Sequence, residues 1–432
     1  MSSDARTSLA SGVRAHEVWS WAMYDFANSG YTTVVITAVF NAYFVAEVAG
    51  RAPWATFAWT AALAVSYALI VLTAPVIGAY ADARAAKKRL LLLTTIGCVV
   101  FTAGLALVGS GDLVLGIALV ILSNFFFGTG ENLVAAFLPE LARGEAMGKV
   151  SGWGWGLGYL GGLVALGAGL AYVDHAQALG ATAAQFVPVT MLITAGIFAL
   201  ASLPTFLFLK ERAVPAAGSA GVLRNAFARV AETIGRARRY TDLWRFLACI
   251  VFYQAGIQTV IALAAVYAQE AMGFTTRDTL FLILVVNVTA AAGAFVFGHV
   301  QDRIGHVRTL RLTLIGWLAA VVLAWAAEGP GLFWVVANLV GLCLGSSQSA
   351  GRALVGYLSP PARTAEFFGL WGLAVKLSAI LGPLTYGAVT WVTQGDHRIA
   401  MLVTGLFFVA GLAILAGLDT ARGRRAALEE TA

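Results

Sequence analysis

Apolar runs of about 20 residues or more recur along the chain, separated by short polar turns. At a rise of about 1.5 Å per residue, runs of that length match a hydrocarbon core about 30 Å thick. They predict membrane-spanning helices at 19–47, 56–80, 90–109, 113–139, 150–172 and 186–209. A second set follows at 243–270, 279–300, 309–327, 331–358, 366–392 and 398–418. Between the sets lies a polar stretch, 210–242, carrying Lys210, Arg212, Arg224, Arg229, Arg236, Arg238 and Arg239. The expected organisation is a six-helix half at 1–209, a linker at 210–242 and a second six-helix half at 243–432. The fold class is therefore an all-α polytopic membrane protein with twelve transmembrane helices. The first 18 residues are mixed polar, and the run after them is too long for the apolar region of a cleavable signal, so it is expected to stay as the first span.

Composition agrees: 59% of the 432 residues are hydrophobic and 12% charged, against roughly 25% charged in a soluble domain. The 47 glycines suit close helix packing in lipid. Cys98, Cys249 and Cys343 sit singly in apolar runs, which speaks against a disulfide framework or a structural metal. The net charge of +6 is explained by its location. The termini and even-numbered connections hold 23 of the 28 Lys and Arg; the odd-numbered ones hold only Arg51, Arg277 and Arg398, and Arg352 and Lys376 fall within spans. That bias places both termini in the cytoplasm, so the basic character reflects topology and no nucleic-acid partner is expected. Residues 224–240 read as an amphipathic helix on the inner leaflet or as a solvated linker.

The two halves echo each other. Gly78-Ala79-Tyr80-Ala81-Asp82-Ala83-Arg84, followed by Lys87, Lys88 and Arg89, recurs 220 residues later as Gly298-His299-Val300-Gln301-Asp302-Arg303-Ile304-Gly305. Asn28-Ser29-Gly30-Tyr31-Thr32-Thr33-Val34-Val35 aligns at an offset of 226 with Gln254-Ala255-Gly256-Ile257-Gln258-Thr259-Val260-Ile261. In each turn the glycine permits tight helix contact and the Asp faces the amino end of a neighbouring helix or a basic residue. Gly78, Asp82, Gly298, Asp302 and Arg303 are thus expected to form a latch that holds one conformation and releases in another.

These turns resemble the loop 2–3 and loop 8–9 signature of the major facilitator superfamily. The string Trp21-Ala22-Met23-Tyr24-Asp25-Phe26-Ala27-Asn28-Ser29 is similar to the bacterial "unknown major facilitator" family, relatives of the fungal autophagy-related vacuolar amino-acid effluxers. So are Gln348-Ser349-Ala350-Gly351-Arg352, Ala365-Glu366-Phe367-Phe368-Gly369, Lys376 and Gly382-Pro383. The resemblance implies two pseudo-symmetric halves, secondary transport of a small molecule and residence in a bacterial inner membrane. One departure stands out: Ala83 and Ala85-Ala86 occupy positions where the fuller pattern has Arg and Gly, which predicts a weaker latch there than at Asp302-Arg303.

In facilitator folds the first, fourth, seventh and tenth helices line a central cavity. Those spans carry Asp25 and Asn28, Glu131 and Asn132, Gln254 and Gln258, and Gln348 and Arg352. The Gln254/Gln258 and Gln348/Arg352 pairs each share one helix face. With Lys376 of the eleventh span, these are the candidate substrate-binding or coupling residues. Glu131 lies about 12 Å and Arg352 about 8 Å from the inner ends of their spans, so the two are expected to pair when the inner gate closes. Arg352 is the expected site for an anionic substrate group, Glu131 or Asp25 the protonatable coupling group.

Two motifs fail their context. Gly156-Leu157-Gly158-Tyr159-Leu160-Gly161 has the letters of a dinucleotide fingerprint but no preceding strand. The spacing of Gly154, Gly158 and Gly162, with Gly152 and Gly156 beside it, instead predicts a small-residue stripe for helix contact. Asn287-Val288-Thr289 is a glycosylation sequon inside a span. There is no phosphate-binding loop of the ATP-driven type, no cofactor is called for and no enzyme activity is expected. The expected function is secondary active transport of a small polar organic solute, such as an amino acid, by a monomer using alternating access, with protons as the coupling ion. The alternatives are efflux of drug-like or lipid-like amphiphiles, for which Trp153, Trp155 and Trp371 speak, and a non-transporting receptor or assembly protein on a transporter fold.

Overall fold

The computed structural model describes residues 9–50, 52, 54–213, 232, 240–274, 276–394 and 396–429. Most of the 210–242 linker, including 224–231 and 233–239 of the expected amphipathic helix, lies outside the described residues. Among the described residues twelve helices are long and apolar enough to cross a membrane. In chain order they are α1 (Ala15–Val48), α2 (Ala58–Arg84), α3 (Lys87–Leu107), α4 (Leu113–Leu141), α5 (Met147–Ala178), α6 (Ala183–Phe208), α7 (Thr241–Ala264), α8 (Phe281–Ile304), α9 (His306–Ala326), α10 (Pro330–Leu358), α11 (Pro361–Thr390) and α12 (His397–Ala416). A short helix, α13 (Thr420–Leu428), follows. The chain is an integral, multi-pass membrane protein of two six-helix halves.

Within the first half α1 packs on α5 and α6, and α4 on α2 and α3; in the second, α7 packs on α11 and α12, and α10 on α8 and α9. The halves meet through two long seams, α5 against α8 and α2 against α11. The glycine stripe of α5 serves both sides. Gly154, Gly158, Gly161 and Gly162 let α1 approach until Gly161 lies against the Phe26 carbonyl, while Gly148, Gly152 and Gly156 face α8 of the other half, with Gly152 against the Ala294 carbonyl. Small residues are what bring backbones together in lipid, where apolar burial gives no drive for helix association.

The first and last described residues lie on one face. Leu9 bridges to Ala142 after α4, and α13 docks beneath the start of α7, where Arg422 donates to Asp242 from Nε (2.7 Å) and Nη2 (2.8 Å). On the same face of the first half, Arg212 donates to Glu17 at 2.8 Å, and Glu211 accepts from the Lys87 and Lys88 amides at 2.6 and 3.1 Å. Each half is thus tied after its sixth helix by an arginine to an acid in the first turn of its first helix.

The two expected latch turns also lie on this face. Asp82 accepts from the Glu366 amide at 3.0 Å and Asp302 from the Lys149 amide at 3.1 Å, so each carboxylate caps the amino end of a helix in the opposite half. Gly78 lies against the Ala365 carbonyl and Gly298 against the Gly148 carbonyl, so a side chain at either would push the halves apart. Each turn has further contacts of its own. Lys87 reinforces the first, lying 3.9 Å from Asp82 and bonding Glu140 and Thr364 (3.1 Å to the latter). At the second, Arg303 is exposed, and His306 bonds Gln301 and the Gly144 carbonyl. The missing glycine leaves a mark: Ala85 adopts φ 48°, ψ 53°, whereas its counterpart Gly305 has φ 89°.

Candidate functional site

Between the halves lies a cavity of about 360 Å³, floored by Asp25, Arg352, Glu131 and Lys376 and extending along α1, α7 and α8 toward the face opposite the termini. Thr32 and Thr37 line it and are exposed. On the termini side it is closed by the latch turns and by Ser151, which donates to the Ser349 carbonyl at 2.9 Å.

Four charged side chains form two ion pairs across the halves. Arg352 donates from Nη1 to Asp25 Oδ2 at 2.6 Å, from Nε to Ser151 Oγ at 3.1 Å and from Nη2 to the Ser151 carbonyl at 2.9 Å. Its guanidinium carbon lies 4.8 Å from the Trp21 ring centre and 5.3 Å from that of Trp155. Arg352 is buried, and every part of its fork is engaged. Lys376 donates to Glu131 at 3.4 Å and lies 5.3 Å from the Tyr67 ring. This pair is more open, its Glu131 side chain being 26% exposed against 12% for Asp25.

The expected pairing of Glu131 with Arg352 is therefore replaced by a crossed arrangement. The physical cause is the α5 stripe. A Cβ at Gly154 would collide with both the Asp25 carboxylate and the Arg352 guanidinium, so its absence opens the passage in which α1 and α10 side chains meet. Glu131, on α4, faces α11 and takes Lys376. Arg352 in this conformation is a strut between halves, with its donors committed to the protein.

The remaining candidates divide. Asn28, Gln258 and Gln348 line the cavity. Gln254 lies behind Gln348, donating to its Oε1 at 2.6 Å. Asn132 does not reach the cavity; it packs over Gly372 of α11 in the seam between halves, beside Gly78 and Thr129. Several lining residues stand outside the expected set: Ser29, Thr32, Thr33 and Thr37 of α1, Tyr67 of α2, and Trp155 and Tyr159 of α5. The α1 hydroxyls were readable as a continuation of the Asp25/Asn28 stripe at helical spacing. The same segment, Thr32–Ala38, winds as a π-helix. Its run of β-branched residues favours α-helix poorly, and π segments concentrate at functional sites.

Two six-helix halves around a central cavity, sealed at one face and reached from the other, define a transporter of the major facilitator superfamily. The chain belongs to the family described as "Vacuole effluxer Atg22 like", whose model matches residues 55–428. It is 29% identical over 402 residues to an uncharacterized MFS-type transporter, YxiO, of Bacillus subtilis, covering 92% of this chain and 93% of that one. It is 24% identical over 304 residues to autophagy-related protein 22-1 of Penicillium rubens, where the match spans 65% of this chain and about half (50%) of the fungal protein. Among solved structures, the major facilitator proton:xylose symporter XylE bound to 6-bromo-6-deoxy-D-glucose shares the fold with a TM-score of 0.69 at 15% identity, covering 96% of this chain and 98% of that one.

Proposed function

We propose that the chain is a proton-coupled secondary transporter of a small polar organic solute, an amino acid or similar zwitterion, working as a monomer by alternating access in a bacterial inner membrane. The termini face is cytoplasmic in this reading, on the strength of the Lys and Arg bias, and the conformation described is then outward-facing. The observation that carries it is the crossed pair of ion bridges: both acids, Asp25 and Glu131, come from the first half and both bases, Arg352 and Lys376, from the second. Neutralising an acid, or inserting a charged solute between partners, weakens the tie between halves at the cavity floor. Glu131, the more accessible acid, is the coupling group and Lys376 the cation offered to a solute carboxylate; Asp25 and Arg352 form the inner gate.

A second reading, efflux of amphiphiles, is supported by the aromatic wall of Phe127, Trp155, Tyr159, Trp317 and Trp371. Uptake of a labelled amino-acid mixture into proteoliposomes under an imposed pH gradient tests both. Gradient-dependent flux lost in Glu131→Gln and in Lys376→Gln is the expected result. Robust gradient-driven uptake in both variants would sink the site assignment, and uptake of lipophilic dyes alone would establish the second reading.

A further inference from the structure

Trp155 is the lining residue whose chemistry the ion pairs leave unused. Its indole ring covers the Arg352 guanidinium at 5.3 Å on one side and leans on Tyr159 at 5.9 Å. Its Nε1–H is buried and has no acceptor among the described residues. Indole N–H is a donor only, and buried donors almost always find a partner. The other tryptophan on Arg352 shows the contrast: Trp21 donates to the Val134 carbonyl at 2.7 Å. On the neighbouring α1, the Asn28 Oδ1 acceptor is likewise buried without a partner, and Asn28 is only 6% exposed. Both residues line the same cavity, so an unpaired donor and an unpaired acceptor of the first half stand beside the same space.

We propose that Trp155 determines specificity in this cavity: its N–H binds a carboxylate oxygen of the transported solute while its ring backs the Arg352 strut. This rests on the reading of the cavity as an amino-acid site and adds the residue that selects the acid group. The N–H supplies direction, and the nearby Arg352 charge, already committed to Asp25 and Ser151, supplies field. A hydrogen bond to a charged group contributes enough for a change of about tenfold or more in affinity.

The test uses the full-length protein in proteoliposomes, with labelled L-amino acids and their carboxamide analogues, which lack the anionic oxygen. In wild type the acids are expected to outcompete the amides. Trp155→Phe keeps the ring over Arg352 but removes the donor. Its KM for the acids should rise about tenfold with the maximal rate little changed, and its preference over the amides should vanish. Trp155→His, which retains a ring N–H, should recover part of that preference; recovery there supports the proposal even if the Phe variant proves unstable. Unchanged KM and unchanged acid-over-amide preference in Trp155→Phe overturn this inference alone. Wild-type protein that moves neither acids nor amides overturns the amino-acid reading and this inference with it.

Discussion

Asp25 and Arg352 meet at 2.6 Å across the two halves, in a space that exists because Gly154 has no side chain. Taking both charges out of water is costly, and removing one partner from such a pair leaves the other uncompensated, at about 3–5 kcal/mol. Asp25→Asn and Arg352→Gln should each lower the thermal midpoint in detergent clearly. The double variant should recover much of the loss, since two neutral amides leave no buried charge. Additive losses in the double variant would show that the two side chains act independently. Transport should fail in all three, because the strut that closes the termini side is gone.

In the second pair Lys376 is as buried as Asp25, with 11% of its side chain exposed against 12%, while Glu131 is the more open acid at 26%. Lys376→Gln, which leaves only the more open acid unpaired, should therefore lower the thermal midpoint less than Arg352→Gln does. Glu131→Gln should abolish the dependence of flux on the pH gradient while solute exchange between equal concentrations survives. Exchange lost together with net uptake would point instead to Glu131 as a solute ligand.

The strained turn after α2 makes a stability prediction. Ala85 holds a left-handed conformation, which costs an L-residue roughly 1–2 kcal/mol. Ala85→Gly relieves it, with a partial offset from the greater freedom of the unfolded chain, for a net gain of about 0.5–1 kcal/mol. Gly305→Ala, at φ 89°, ψ 153°, should lose more than that, since this region is open almost only to glycine. Melting curves of the two variants, moving in opposite directions, check the argument.

Bulk on the α5 stripe should separate packing from gating. Gly161 abuts the Phe26 carbonyl within its own half, while Gly152 abuts the Ala294 carbonyl of the other half. Gly161→Val should therefore destabilise the fold by about 1–3 kcal/mol. Gly152→Val can be accommodated by parting the halves, so it should populate the conformation open on the termini face. Thiol labelling of a cysteine introduced at Ser349 reads this: labelling should rise in Gly152→Val and stay low in Gly161→Val.

How much of this was legible beforehand follows from what each feature depends on. Span lengths, the repeat and the latch turns are local patterns set by bilayer thickness and backbone geometry, and their residues could be named from the letters. The stripe of α5 was visible, but that it splits between α1 and α8 depends on two helix partners that no single segment encodes. The choice of partner for Arg352 escaped for the same reason. Depth along a helix can be counted from sequence, and it put Glu131 and Arg352 within reach of each other. The lateral direction of each side chain, and the gap left by Gly154 on a third helix, decided for Asp25. Trp155 was legible only as one of three tryptophans favouring an amphiphile cavity; its unpaired N–H depends on the neighbours that α5 acquires in the fold, and that is what distinguishes it.

Asn132 provides a test of whether the conformation closed on the termini face is held under tension. Both amide atoms, Oδ1 and Nδ2, are buried in the α4–α11 seam without a hydrogen-bond partner among the described residues. Each such group costs roughly 1–3 kcal/mol relative to a satisfied one. Because the seam lies between halves, parting them would let water or other partners reach the amide, so Asn132 raises the energy of the closed seam relative to the open one. Asn132→Leu removes that penalty from one state only. It should raise the thermal midpoint, lower the labelling of a cysteine introduced at Ser349, and slow transport by trapping the closed seam. Gly372, which faces the amide, leaves no room for a larger partner on α11, so the effect should not be mimicked by Gly372→Ala, which instead forces the seam apart. Faster transport in Asn132→Leu, or a lower midpoint, would show that the amide is satisfied in this state after all.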